Sequence, residues 1–416
     1  MNIWLVTTGE PLQLQNERPH RVGILSNKLV KQNHNVIWWT TTFDHQSKNY
    51  IYDNDKEVII SEKLKMTFMH SSIGYRKNVS LNRLINHKLV ADKFRRLAES
   101  KKTPDIIYCS FPTIDLSYQA VKYGIKNNIP VIIDTRDLWP DIFINPFPKF
   151  SHSLINLLLS KYIKQTKYLF KNCESITAVS EKYLNWALNY GSRKRTINDQ
   201  VFPLAYEKHN NSNNDNLTNQ IDAFSKIGIN PSKKIAWFVG TFGRTYDLTT
   251  VIKSARILEN NEVNDIQFVL TGDGEKMNEW SKLAKGLKNV VFTGWVNKPE
   301  LQYLSSIADI GLMAYSKGAP QGLPNKIFEY MSAGVPILSS LQSETKELLS
   351  KNKIGLTYEP LNVDGFVEKL LYLCKDDLLR EQMGTSGKEL LEKEYTADIV
   401  YDRLIQHLEK QSKKNR

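Results

Sequence analysis

Cysteine is scarce in this chain: three residues in 416, at Cys109, Cys173 and Cys374, with no C-x-x-C pair. That count and spacing exclude a disulfide framework and a cysteine-built zinc site, and the expected compartment is a reducing one. Long apolar runs are missing as well. No stretch reaches the ~18 residues that a bilayer-crossing helix needs, and Met1 to Gly9 turns polar too early for a secretory signal, so a cytoplasmic protein is expected. No D-x-D stands on a loop suited to hold a metal, and neither a metal nor a resident cofactor is expected.

What is present is an ordinary globular balance, 41% hydrophobic and 24% charged, in a chain too long for one usual domain. The net charge of +12 lies wholly in the first half: residues 1–200 carry 29 Lys and Arg against 17 Asp and Glu, and residues 201–416 carry 27 of each. A basic half joined to a neutral half implies that the first meets something anionic.

Short apolar runs alternate with helical spacing along the chain. Strands are expected at Asn2 to Thr8, Asn35 to Thr41, Leu64 to Met69, Asp105 to Ser110, Pro130 to Thr135 and Ser175 to Val179, with a helix from Arg21 to Gln32. The polar segment Asp44 to Lys56 reads as a mobile loop. After a polar, turn-prone pause at Gly191 to Asn219, strands resume at Ile235 to Gly240, Gln267 to Thr271, Asn289 to Phe292, Ile310 to Ala314 and Pro336 to Ser339. The pattern is α/β: two Rossmann-like domains, residues 1–200 and 201–394, facing a central cleft. A final helix, 395–416, is expected to pack back on the first domain.

The second half carries the chemistry-bearing turns. GAPQGLPNKIFEYMSAGVPILSS, Gly318 to Ser340, reads as a tight loop, a helix from Pro324 to Ala333, a glycine stop at Gly334 and a buried strand. Gly318, Pro320 and Gly322 let the backbone approach a ligand, and the first amides of the helix are unpaired. Lys326 stands in the first turn, where the helix dipole disfavours a cation, so an acidic ligand is a better explanation than helix stability. Glu329 lies one turn on and is suited to accept hydrogen bonds from sugar hydroxyls. Gly240 and Gly243 with Arg244 leave one strand, Gly272, Asp273 and Gly274 the next, and Thr293 and Gly294 a third; a guanidinium fork at Arg244 suits a diphosphate.

The order GTFGR, TGDG, FTGWV, LPNKIFEYMSAGVPIL resembles the nucleotide-sugar domain of GT-B glycosyltransferases of the large retaining family 4. GEPLQLQNERPHR, NHNVIWWTTTFDH and DTRDLWPD resemble its bacterial polysaccharide-assembly branch. The resemblance implies a donor diphosphate held by Arg244 and Lys326 and a ribose held by Glu329. The phosphates would rest on amides around Asn325 to Ile327, and the base on the backbone from Thr293 through Trp295 to Val296. Gly9, Glu10, Gln321, Gly322, Leu323 and Pro324 complete the implied donor set, and Arg136 and Asp137, after a first-half strand, join Arg244 and Lys326 as candidate catalytic residues. Asp137 or Glu10 would orient the acceptor. Three departures stand out. Gln321 occupies the position, eight before Glu329, where the motif has a glutamate; Tyr246 falls near the usual lysine; and Arg136 precedes Asp137 where many relatives have histidine.

The implied reaction is metal-independent, retaining transfer of a sugar from a nucleotide to a lipid-linked or glycan acceptor in bacterial surface polysaccharide synthesis. Stretches Val79 to Lys102 and Leu154 to Lys171 read as basic amphipathic helices, and an anionic membrane surface is an expected partner, giving a peripheral cytoplasmic location. A nucleotide-sugar 2-epimerase would need several carboxylates and a histidine in the cleft, and none of the eight histidines falls in the donor segments. A non-catalytic basic module for nucleic acid is opposed by the neutral second half and the lack of any recognised motif.

Overall fold

The computed structural model describes residues 1–10, 20–144, 147–206 and 224–413. GEPLQLQNERPHR therefore lies mostly outside the described residues, as does the NNSNNDN tract. The chain divides into two compact units, 1–203 with 398–416, and 204–397.

In the first unit the strands are β1 (Asn2–Val6), β2 (Asn35–Thr41), β3 (Lys56–Ser61), β4 (Leu64–Met69), β5 (Ile106–Phe111), β6 (Val131–Thr135), β7 (Ser175–Ala178) and β8 (Gln200–Val201), in the order β3-β4-β2-β1-β5-β6-β7-β8. All pairs are parallel except β3 with β4. β5 and β6 are buried at every residue, as expected of parallel strands covered by helices on both faces. Asp44 to Lys56, expected to be mobile, is tied down: Phe43 bridges Tyr50, and the Asp44 carboxylate accepts from the Ser47 amide at 2.7 Å. The expected helix Leu154 to Lys171 is two helices, His152–Leu158 and Ser160–Asn172, broken at Leu159.

The closing helix, Ala397–Ser412, lies against this first unit. Lys28 pairs with Asp398 at 2.7 Å and Asp402 at 3.1 Å, and Leu404, Ile405 and Leu408 are fully buried. Burial of three such side chains stabilises the join by roughly 1.5–3 kcal/mol each, far more than the partly exposed ion pairs.

The second unit holds β9 (Lys234–Val239), β10 (Ile266–Thr271), β11 (Val290–Gly294), β12 (Ile310–Met313), β13 (Ile337–Ser339) and β14 (Gly355–Thr357), ordered β11-β10-β9-β12-β13-β14 and parallel throughout. Strand order reverses between β9 and β12. In open α/β sheets the crevice at that reversal, outside the carboxyl ends of the strands, is where ligands bind. The helix Asn325–Ala333 is fixed there by Tyr330, whose buried hydroxyl donates to the carbonyl oxygens of Trp237 at 3.1 Å and Leu312 at 3.0 Å. Gly311 makes this possible, since a Cβ there would overlap the Tyr330 ring.

Candidate active site

At the carboxyl ends of β9, β10 and β11 the backbone forms one continuous ledge. Gly240 donates to the Thr271 carbonyl and Gly272 to the Gly294 carbonyl, both at 2.9 Å. Gly272 has φ +136°, and a Cβ there would overlap the Gly240 carbonyl oxygen, so glycine is required on both grounds. The loop after β9 is pinned by Phe242, whose amide donates to the Asp273 carbonyl at 2.8 Å and whose ring is buried against Trp280. Ser316, in the loop after β12, donates its hydroxyl to the Arg244 carbonyl at 2.8 Å and the Tyr246 carbonyl at 3.0 Å. The two loops flanking the strand reversal are thereby joined.

Lys326 does not stand out from the helix start as the local sequence pattern implies. Its side chain is buried, its Nζ donates to the Val239 carbonyl, and it lies 3.7 Å from the centroid of the Phe238 ring and 4.4 Å from that of Tyr246. A Cβ on Gly240 would come within 2.6 Å of the Nζ. Burial, opposed by the charge of Glu329, pulls the Lys326 pKa down to about 7. The amine so placed lies beside the ledge and at the strand reversal. Glu329 is half-buried one turn further, and its charge acts on Tyr246, Tyr315 and Lys326.

Several sequence expectations are corrected here. Pro324 is the cap residue, in extended conformation, and Asn325 is the first helical residue. The Ile327 amide is not free for a phosphate, because it donates to the Pro324 carbonyl at 3.1 Å in a tight first turn, and the Ile327 side chain is fully buried in the core. The Asp273 carboxylate turns onto the Gly274 amide at 2.6 Å. Arg244 reaches away into solvent, its side chain 85% exposed, with Nε on Glu275 at 3.1 Å. Gly243 faces open space. Thr293 donates to the Gly294 carbonyl at 3.0 Å, Trp295 is exposed, and Val296 packs on the core. Leu323 is half-buried against the same core. The Gln321 and Gly322 carbonyls are held by the Ser343 and Thr345 hydroxyls, while the Gln321 Oε1 is buried with no hydrogen-bond partner. An orphaned buried acceptor costs about 1–3 kcal/mol, which a ligand hydroxyl at this point would relieve.

In the first unit Glu10 and Arg136 are not available to a substrate. Asp134, fully buried, accepts from Arg21 Nε at 3.0 Å and Arg136 Nε at 2.6 Å, and Arg136 also pairs with Glu10, whose other oxygen accepts from the Val22 amide at 2.9 Å. Burial pushes the Asp134 pKa up, but the two guanidiniums outweigh it and hold the carboxyl well below its usual range. The network exists because a buried carboxylate needs full pairing, a tertiary requirement that no local motif reveals. Gly9, with φ +81°, turns the chain out of β1 just before Glu10. Asp137 accepts from the Leu138 amide at 2.8 Å and the Trp139 indole at 3.1 Å; burial raises its pKa, with those donors and Arg83 restraining the rise.

A cavity of about 180 Å³ opens at the ends of β1, β2 and β5, lined by Thr8, Gly9, His45, Tyr75, Arg83 and His87, among others. His45 shares a hydrogen bond of 2.7 Å with the Tyr75 hydroxyl. Burial, then the charges of Arg83 and Lys48, lower the His45 pKa to about 4, and burial lowers that of His87 to about 3, so both are neutral at physiological pH. Sequence reading missed this group, although His45 closely follows a strand end. Among the described residues no cluster of three or more His, Cys, Asp or Glu is arranged to hold a metal.

Two Rossmann-like units, their sheets parallel but for β3 with β4, and the likeness to solved structures give this chain the GT-B fold. Sucrose-phosphate synthase from Thermosynechococcus elongatus shares it with a TM-score of 0.70 over 98% of both chains at 14% identity. Anabaena HepE in complex with UDP does so with a TM-score of 0.68 over 98% of this chain and 99% of that one, at 12% identity. The family model described as Glycosyl transferases group 1 matches residues 219–390, nearly the whole second unit. The sulfoquinovosyl transferase SQD2 of Arabidopsis thaliana is 27% identical over 168 residues, 39% of this chain and 31% of its own length. A GDP-mannose-dependent monoacylated alpha-(1-6)-phosphatidylinositol monomannoside mannosyltransferase of Corynebacterium glutamicum is 28% identical over 150 residues, 35% of this chain and 39% of its own. The UDP-Gal:alpha-D-GlcNAc-diphosphoundecaprenol alpha-1,3-galactosyltransferase of Escherichia coli is 27% identical over 127 residues, 30% and 32%. The matches thus span between three and four tenths of these relatives' lengths.

Proposed function

We propose that the protein is a retaining glycosyltransferase that moves a sugar from a nucleotide donor to a lipid-linked or glycan acceptor in the assembly of a bacterial surface polysaccharide. The observation that carries this reading is the buried Lys326 beside the glycine ledge at the strand reversal of the second unit. The family match to that unit supports it, as do relatives whose names specify UDP- or GDP-linked sugars and lipid-borne acceptors.

The chemistry follows from where charge develops. As the glycosidic bond to the diphosphate lengthens, negative charge accumulates on the leaving phosphate, and preorganised donors aimed at it stabilise the transition state. Lys326 takes up a proton as the anion raises its pKa, and the Asn325 and Lys326 amides at the helix start add partial positive charge. Glu329 receives ribose hydroxyls, Gln321 Oε1 a sugar hydroxyl, and the exposed Trp295 offers a face to the base. Arg244 turns from Glu275 to the outer phosphate. Retention follows if the acceptor hydroxyl enters on the face that the diphosphate leaves, its proton passing to the departing phosphate oxygen. On the first unit, the cavity lined by His45, Tyr75 and Arg83 receives the acceptor, and Asp137 orients it. The reaction is proposed to be metal-independent, and EDTA is expected to leave turnover unchanged.

Radiolabelled UDP- and GDP-sugars incubated with and without a bacterial lipid extract test the reading. Label moving into the lipid fraction only when extract is present is the expected result. Epimerised donor, or donor left unchanged in every pairing, overturns it.

A further inference from the structure

The first unit has a second concavity, an apolar groove of about 410 Å³ within the size range of small-molecule pockets. Leu84, Ile114, Phe143, Ile155, Leu158 and Tyr162 line it. Of the lining residues Val79, Leu81, Phe147 and Leu158 are each more than half exposed. Exposed apolar side chains gathered on one groove mark an interaction site rather than a chance surface. Lys164 and Lys167 are exposed on the helix that also carries Tyr162, and Arg76 and Lys77 are exposed just before Val79, while Lys161 pairs with Asp115 of the lining at 2.8 Å.

Arg83 is part of the lining. Its guanidinium lies 4.6 Å from the centroid of the Trp139 ring and donates to the Asn78 carbonyl at 2.7 Å, and its Nε is buried with no hydrogen-bond partner. The charge of Asp137 acts on it, and among the described residues no carboxylate is within ion-pair distance of it. Arg83 and His87 line both this groove and the polar cavity at the ends of β1, β2 and β5. Apolar groove and polar cavity thus meet at a guanidinium whose Nε has no hydrogen-bond partner. A single amphiphile matches that arrangement: hydrocarbon chain, phosphate, polar head.

We propose that the groove seats the tail of a single-chain lipid phosphate, with the phosphate on Arg83 and the group it carries in the polar cavity. Calling that lipid the acceptor rests on the glycosyltransferase reading; the binding itself does not. Guanidinium and phosphate match in charge and in fork geometry, and exposed Lys164, Lys167, Arg76 and Lys77 of the same unit suit the anionic membrane from which such a lipid comes.

Calorimetric titration of the full chain with farnesyl phosphate, below its micelle concentration, tests this against farnesol and inorganic phosphate. Farnesyl phosphate is expected to bind at least about tenfold more tightly than either, and Arg83→Gln to weaken it by about tenfold or more, the loss expected for hydrogen bonds to a charged group. Because Arg83 also braces the Asn78 turn, Leu158→Glu provides a second variant at an exposed position; it should weaken farnesyl phosphate comparably with an unchanged melting temperature. Farnesyl phosphate binding no better than inorganic phosphate, or binding to both variants as to the parent, overturns the proposal. So does a dimer, seen by light scattering, that Leu158→Glu dissociates while farnesyl phosphate binding is unchanged, since a second copy would then cover the groove. UDP- and GDP-sugar titrations on the same samples separate the two readings: lipid phosphate bound without sugar nucleotide leaves the groove and removes the transferase, and the converse removes the groove alone.

Discussion

The two units end their strands in different ways. In the second, β9, β10 and β11 run out through Gly240, Gly272 and Gly294 into a ledge made of backbone, with one buried cation beside it. In the first, the corresponding ends are crowded with side chains, and the charges there, Glu10, Arg136, Asp134 and Arg21, are spent on each other. A backbone ledge suits a ligand part that never varies, such as a diphosphate, whereas a cavity walled by His45, Tyr75 and Arg83 suits one that is particular to the chain. The family match, confined to residues 219–390, falls on the backbone-built side.

Substitutions should separate the two. Lys326→Met is expected to lower kcat/KM by about 10²–10³, the usual loss for one preorganised donor, while the melting temperature does not fall, because a desolvated ammonium is removed. Asp134→Ala should do the opposite: stranding Arg21 and Arg136 costs about 3–5 kcal/mol in urea unfolding, with donor affinity of the remaining folded protein unchanged. If Asp134→Ala instead unfolded at the parent's urea midpoint, the buried network would not be structural.

Smaller effects sharpen the contrast. With a pKa of about 7, Lys326 is cationic without donor only below that value, and a bound diphosphate raises it; donor affinity should therefore be flat below about pH 7 and fall above it. Lys326→Met should abolish that slope. The same lowered pKa makes the unfolded chain bind more protons between pH 7 and the ordinary lysine range, so this group's contribution to stability rises with pH across that window and does so less when donor is present. Arg244→Gln, at an exposed position, is expected to cost only about tenfold in donor affinity, read by calorimetry. Asp137→Asn should reduce turnover by less than Lys326→Met does, and unchanged turnover would remove Asp137 from the site.

Much of the second unit was legible in the chain. Pro324 and Gly334 delimit the Asn325–Ala333 helix to within a residue, and each glycine-marked strand end falls where the pattern places it. β3 was missed because its residues are mostly exposed and lack a buried face, and β8 and β14 because two or three residues carry no periodicity. The direction of the Lys326 side chain was not legible. What receives it, the Val239 carbonyl with the Phe238 and Tyr246 rings, lies some 80 positions earlier and meets it only in the folded sheet. Arg136 and Glu10 misled for the same reason: their partners Asp134, Val22 and each other turn two apparent site residues into structure. The cavity around His45 draws on four separated segments, so no single stretch announces it.

The most direct test is a calorimetric titration of UDP- and GDP-sugars into the parent protein and into the Lys326→Met, Arg244→Gln double variant. Binding of at least one donor by the parent, weakened by about a hundredfold or more in the variant, is predicted from loss of two charged contacts. Equal affinity in the two proteins would contradict the assignment of this strand-end ledge and its buried cation to the donor's diphosphate.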